Sequence, residues 1–404
     1  MVNITTLLKP TAGRFPVTDS TDGRYLPRHN HHMKRQKWLL FFLPMLLVTA
    51  CQQDTPAPLT EQIILPPPPP VPINQIVTLL PPDSIQAIDE PQFETAVQAN
   101  THLRPDEKVI GVFINGEARA YPIPILSAHE IVNDTIGGAP VAVTWCPLCY
   151  SALVFSRQLE DQSRSLTFGV SGKLLQNTLI MYDRQTDSLW SQLYGGAVQG
   201  EFTGTPLAVF PSLLTEWEAW FTQYPDSQVL SKSLTCAQFS CGNYAENPRG
   251  SYAVDSYQSY YNMPDEGVID RQIPRDTDSV SAKKRVLGVR VGQQTKAYPF
   301  ELLNQRQLVH DEIDNVPVLV WFDPETQTGQ AFIREVAGEV LTFTAVPNQP
   351  GLLQDEQTNS QWQGLTGQGV NGRYTNQQLP ILMSTPAFEF GWYGYFPESE
   401  TYSE

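Results

Sequence analysis

The chain has 404 residues, 26 Lys/Arg against 42 Asp/Glu, and a formal net charge of −16 at pH 7. So acidic a surface repels phosphate backbones and anionic headgroups, which argues against nucleic acid as a partner. There is no Walker-type Gly-Lys-Ser/Thr loop, no dinucleotide fingerprint and no His-Glu-x-x-His helix, which removes the common nucleotide-dependent and metalloprotease classes.

Targeting character begins at Met33; residues 1–32 have none and read as an extension ahead of the true start. Lys34, Arg35 and Lys37 form a positive n-region, and Trp38 to Val48 is apolar except for Pro44. That run is short for a membrane span and fits a signal-peptide core. It ends in Val48-Thr49-Ala50-Cys51, small residues before a cysteine in the pattern of a lipobox. We therefore expect residues 33–50 to be a lipoprotein signal peptide and Cys51 to carry the lipid that holds the protein to a membrane. Gln52, in place of Asp, favours the outer membrane by the usual sorting rule. Without residues 1–50 the chain keeps 19 basic and 40 acidic side chains, a formal charge of −21. Residues 51–100 are expected to form a tether, with Pro66 to Pro70 and Pro72 as a polyproline II rod.

The rest of the chain repeats itself. Val109-Ile110-Gly111-Val112 returns as Val286-Leu287-Gly288-Val289, and Ala120-Tyr121-Pro122 as Ala297-Tyr298-Pro299, both 177 residues later. The same offset pairs Asp134 with Asp311, Val143 with Val320 and Pro147 with Pro324. Further on the offset is 172, matching Asp183, Thr186, Ser188 and Trp190 to Asp355, Thr358, Ser360 and Trp362. We read residues 101–230 as a first copy, 231–284 as a tyrosine-rich insert and 285–397 as a second, degenerate copy.

Within a copy the patterns are mainly those of strands. Val109 to Ile114, the Asn115-Gly116 turn and Ala118 to Tyr121 predict a hairpin. Val141 to Trp145 with Ala152 to Phe155, and Leu166 to Val170 with Leu179 to Tyr182, predict more. Leu213, Leu214, Trp217, Trp220 and Phe221 behind Pro211-Ser212 predict one helix whose aromatic stripe packs a core. The fold class is thus mainly β with a few helices (α+β), an internally duplicated, pseudo-twofold β-rich domain.

Ala120-Tyr121-Pro122, His129-Glu130-Ile131-Val132-Asn133-Asp134, Trp145-Cys146-Pro147-Leu148-Cys149, Gly169-Val170-Ser171-Gly172 and Met181-Tyr182-Asp183-Arg184-Gln185-Thr186 follow in order, then Ser188-Leu189-Trp190. Together they resemble the bacterial DUF3179 family, well over Asp106 to Tyr298 and more loosely in the second copy. The resemblance implies no settled activity. Some members are named as selenoproteins, which implies redox chemistry.

Positions shared by both copies serve the fold, and positions special to one are candidates for chemistry. Cys146 and Cys149 correspond to Asp323 and Thr326, and Asp323-Pro324-Glu325-Thr326 is a β-turn signal. Cys146-Pro147-Leu148-Cys149 is therefore expected in the same turn, its ends within about 7 Å, near the limit of disulfide reach. Three readings stay open. The pair is a reversible dithiol/disulfide in which one thiolate attacks a partner and His129 moves the proton. Or it holds Cu(I) or Zn with His129, which has Arg306 as its counterpart, as third ligand. Or it is inert, in a non-catalytic envelope module that binds a protein or small molecule. A thioredoxin-like helix after Trp145-Cys146 is excluded because a strand pattern follows. Cys236 and Cys241 are expected to staple a loop in the insert, while Asp183 and Trp190 read as structural, Arg184 stays open, and Ser171-Gly172 reads as a turn.

Overall fold

A computed structural model describes residues 62–159, 165–241, 252–263, 267–269 and 283–403. The chain divides into Met1–Asp54 and Thr55–Glu404, and every described residue belongs to the second unit. Cys51, the expected signal peptide and residues 1–32 lie outside the described residues. No helix among the described residues is long and apolar enough to cross a membrane.

The entry segment holds β1 (Ile63–Ile64), β2 (Val77–Thr78), β3 (Phe93–Thr95) and α1 (Ala96–Ala99). The first copy opens with the hairpin β4 (Lys108–Ile114) and β5 (Glu117–Pro122), then α2 (Ile123–His129). Next come β6 (Ile131–Ile136), β7 (Ala139–Cys146) and β8 (Ser151–Ser156), then β9 (Phe168–Leu175), β10 (Thr178–Asp183), β11 (Leu189–Ser191) and β12 (Gly196–Gln199). It closes with β13 (Ala208–Phe210), β14 (Ser212–Glu216), α3 (Trp217–Gln223) and β15 (Gln228–Leu230). The insert contributes α4 (Lys232–Phe239) and α5 (Gln258–Tyr261).

The second copy runs through β16 (Arg285–Val291), β17 (Gln294–Pro299), α6 (Phe300–Leu303), β18 (Leu308–Ile313), β19 (Val316–Asp323) and β20 (Thr328–Ile333). After the small hairpin β21 (Glu335–Val336) and β22 (Glu339–Val340) come β23 (Phe343–Ala345), β24 (Leu352–Asp355), β25 (Gln361–Gln363) and β26 (Gln368–Asn371). Strand β27 (Met383–Phe388), α7 (Glu389–Tyr395) and β28 (Glu400–Thr401) end it.

The fold is β-rich with short helices, and its sheets repeat. The order β14-β4-β5-β15 recurs as β27-β16-β17-β28, with β15 parallel to β5 and β28 parallel to β17. Likewise β6-β7-β8 recurs as β18-β19-β20, and β9-β10-β11-β12 as β23-β24-β25-β26. Registers agree residue by residue: Gly111 faces Ala120 as Gly288 faces Ala297, and Met181 faces Trp190 as Leu353 faces Trp362.

Shared residues do the same work twice. Trp190 donates its indole N–H to Asp183 at 2.9 Å, and Trp362 to Asp355 at 2.9 Å. Trp220 and Trp392 lie flat on Gly111 and Gly288, where a Cβ would sit 2.1–2.2 Å from a ring carbon, and each indole donates to a serine, Ser227 or Ser399.

Three sequence expectations are corrected. The helix behind Pro211 starts only at Trp217, because Leu213 and Leu214 pair with Gly111 and Ile110 as strand β14. The proline run is no free rod: Pro68 is buried against Gly196, and Val71 bonds to Val198 and Gln199. Ser171-Gly172 lies inside β9 at a bulge against β10, not in a turn.

Candidate functional site

Strand β7 alternates faces, so neighbouring side chains part company at its end. Trp145 joins the core that contains Ile125 and Tyr252, whereas Cys146 joins the core that contains Leu179, Trp190 and Cys149. The chain then turns through Pro147 and Leu148 and re-enters as β8, with Tyr150 at φ 57°, as Gln327 is at φ 51° in the second copy.

Both cysteines are free thiols, Cys146 2 % and Cys149 0 % exposed. In the second copy the matching side chains already touch: Thr326 Oγ1 donates to Asp323 Oδ2 at 2.7 Å and lies 2.9 Å from Thr328 Oγ1. Cys149 repeats the second contact, its Sγ lying 3.0 Å from Ser151 Oγ. Ser151 donates to Gln192 Oε1 at 2.7 Å, and Gln192 Nε2 donates to Thr144 Oγ1 at 3.0 Å.

This polar niche makes the two thiols unequal. Burial pushes the Cys146 thiol well up, and the adjoining Cys149 adds to it. Burial also opposes the Cys149 thiolate, but hydrogen bonds from Cys146, Ser151 and Thr178 outweigh it and hold Cys149 below the ordinary thiol value.

The second copy and the insert cover the pair. Phe388 N donates to Cys149 O at 2.8 Å, and a Cβ at Gly391 would meet Cys149 Cβ at 2.8 Å, so only glycine lets α7 pack there. From the insert, Tyr260 donates to Leu148 O at 2.9 Å, while Val268 N and Ile269 N each donate to Asn177 Oδ1 at 2.8 Å beside Thr178.

His129 is elsewhere. It ends α2 on the Trp145 side of the sheet, with Nδ1 on Gln86 O at 2.6 Å, Nε2 on the Tyr252 hydroxyl, and its ring 4.4 Å from that of Phe239. Burial lowers its pKa, against the opposing bond to Gln86. Both nitrogens are engaged, and the described residues bring no three His, Cys, Asp or Glu side chains together as a metal-holding group. Neither the proton-transfer role nor the third-ligand role expected for His129 fits this placement.

A family model described as "Protein of unknown function (DUF3179)" matches residues 82–399. The chain belongs to that family. No curated protein and no solved structure matches the chain.

The DUF3179 match takes in both copies and the insert, so it includes every residue around the dithiol. The sequence singles out Cys146 and Cys149 as candidates but not Ser151, Thr178, Gln192, Tyr260 and Gly391, which the structure sets around them. Only Ser151 left a signal, its hydroxyl echoed at Thr328. Cys236 and Cys241 are disulfide-bonded at the end of α4, and Arg184 pairs with Asp83 and Asp89.

Proposed function

We propose that this protein is a thiol–disulfide redox protein of the cell envelope, lipid-anchored through Cys51, whose reactive pair is Cys146 and Cys149. One observation carries the reading: two thiols occupy turn positions whose second-copy equivalents, Asp323 and Thr326, lie in direct side-chain contact. The fold needs a turn there, and hydrogen-bonding residues make it in the second copy, so the sulfurs are not structural necessities.

In the step we propose, the Cys149 thiolate attacks one sulfur of a partner disulfide, forming a mixed disulfide and releasing a partner thiolate. That thiolate takes the Cys146 proton. The Cys146 sulfur then attacks Cys149 Sγ, breaks the mixed disulfide and releases the second partner sulfur, which is protonated by solvent. The protein dithiol is oxidised by two electrons and the partner disulfide is reduced to two thiols. Because both sulfurs are buried, the insert around Tyr260 has to lift before a partner can enter.

The test is a redox titration in glutathione buffers with mass-spectrometric counting of alkylated cysteines. Cys146–Cys149 should open and close reversibly, at a potential above the roughly −300 mV typical of structural bridges, while Cys236–Cys241 stays closed. A pair that stays reduced throughout, or stoichiometric copper or zinc on the purified protein, overturns the reading.

A further inference from the structure

A cavity of about 680 Å³ opens where the first copy, the insert and the second copy meet, within the range of sites for small organic ligands. Tyr150, Tyr261 and Phe388 give it an aromatic wall, and Lys108, Lys283 and Arg285 give it a basic one. Two of its acids are paired with cations, Glu107 with Lys232 at 2.6 Å and Asp106 with Arg104 at 3.1 Å, while Asp255 accepts from Tyr257 N at 2.9 Å.

The duplication explains the surplus of positive charge. Lys108 and Arg285 are equivalent, each the first residue of its strand, β4 or β16. In the first copy the residue opposite Lys108 is Glu216, and the two form an ion pair at 3.2 Å. In the second copy the residue opposite Arg285 is Phe388. Both copies have the cation, but where the first sets a carboxylate opposite it the second sets a ring.

Arg285 retains a hydrogen bond to Gln327 Oε1 at 3.1 Å and lies over the rings of Phe300 and Tyr150. Among the described residues no carboxylate pairs with it. Burial lowers the Lys108 pKa, its ion pair with Glu216 opposes that shift, and the nearby charge on Arg285 adds to it, which places the two cations close to one another at the cavity.

We propose that this cavity binds a small organic acid with an aromatic or apolar body. The acid group sits against Arg285 and Lys108, where a guanidinium fork suits a two-oxygen head, and the body lies against Tyr150, Tyr261 and Phe388. Neither Cys146 nor Cys149 lines the cavity, so the site does not depend on the dithiol reading.

The experiment is a fluorescence titration of the full chain with 8-anilinonaphthalene-1-sulfonate, compared with uncharged N-phenyl-1-naphthylamine. One sulfonate should bind per chain, at least tenfold more tightly than the neutral probe. Arg285→Gln should weaken it tenfold or more, and Phe388→Glu, which rebuilds the first copy's ion pair, should remove it. Circular dichroism checks each variant's fold; should Phe388→Glu not fold, the double variant Lys108→Gln/Arg285→Gln takes its place and must abolish binding. Equal affinity for the two probes, many sulfonates per chain, or binding unchanged in folded Arg285→Gln overturns the site.

Discussion

Ser151 faces Cys149 with a lone pair, because its single hydroxyl proton is committed to Gln192 Oε1 at 2.7 Å. Gln192 cannot turn over: its amide N–H groups hold Thr144 Oγ1 at 3.0 Å and Ser151 O at 3.2 Å. A neutral Cys149 therefore donates to Ser151. When Cys149 ionises, the hydroxyl swings its proton to the sulfur and leaves Gln192 Oε1 without that donor.

Ser151→Ala should raise the Cys149 pKa by about 1–2 units, since a hydrogen bond to a charged group contributes about 1.5–3 kcal/mol. The measurement is the pH profile of iodoacetamide labelling in a Cys146→Ser background. Thr328→Ala, the matching change in the second copy, should leave that profile in place. A profile unmoved by Ser151→Ala removes Ser151 from the site.

Tyr260→Phe keeps the ring beneath Lys283, 3.8 Å from the ammonium, but deletes the bond to Leu148 O. Losing a hydrogen bond of about 1 kcal/mol should make thiol alkylation in the native protein roughly fivefold faster. The redox potential should not change, because that bond does not touch either sulfur. Labelling at the wild-type rate would mean that access does not run past the insert.

Acid should weaken the fold through His129. Its folded pKa lies below the ordinary value of about 6.5, so the unfolded chain binds the proton first. The stability it contributes is complete above about pH 6.5 and is lost as pH falls toward the lower folded value. His310, lowered by burial and by Arg334 and Arg306, acts in the same direction. His129→Gln should flatten the fall of the urea midpoint between pH 7 and 5 and leave the dithiol potential unchanged. A shift in that potential would return His129 to the site.

Gly111→Ala and Gly288→Ala put a methyl group 2.1–2.2 Å from the rings of Trp220 and Trp392. Each should destabilise by about 1–3 kcal/mol or more through overpacking, read by urea denaturation. Similar losses are expected because the two contacts are copies. A neutral Gly288→Ala would show that the second copy has relaxed around Trp392.

What the sequence revealed and hid follows from its two periodicities. The Cys146–Cys149 turn was legible because Asp323-Pro324-Glu325-Thr326 spells the same turn in plainer residues. His129 looked close to it along the chain, but a strand's period of two sends Trp145 and Cys146 to opposite faces, and His129 follows Trp145. Leu213 and Leu214 sit at spacings that fit a helix, yet the edge of β4 needed a partner and took them as a strand. Gln192, Tyr260 and Gly391 had no local signature, since each meets Leu148, Cys149 or Ser151 from a distant part of the chain.

The two copies are clasped to each other at residues far apart along the chain: Thr385 donates to Ala152 O at 2.9 Å, and Thr328 to Thr215 at 2.9 Å. Such distant pairings delay folding, because a long loop has to close before the contact is gained. A chain made from its N-terminus exposes β7 and β8 well before β27 and α7 exist. Cys146 and Cys149 are thus made well before the Phe388 and Gly391 contacts that cover them. The last residues of the second copy are a seal that is set late, over thiols placed in the first copy.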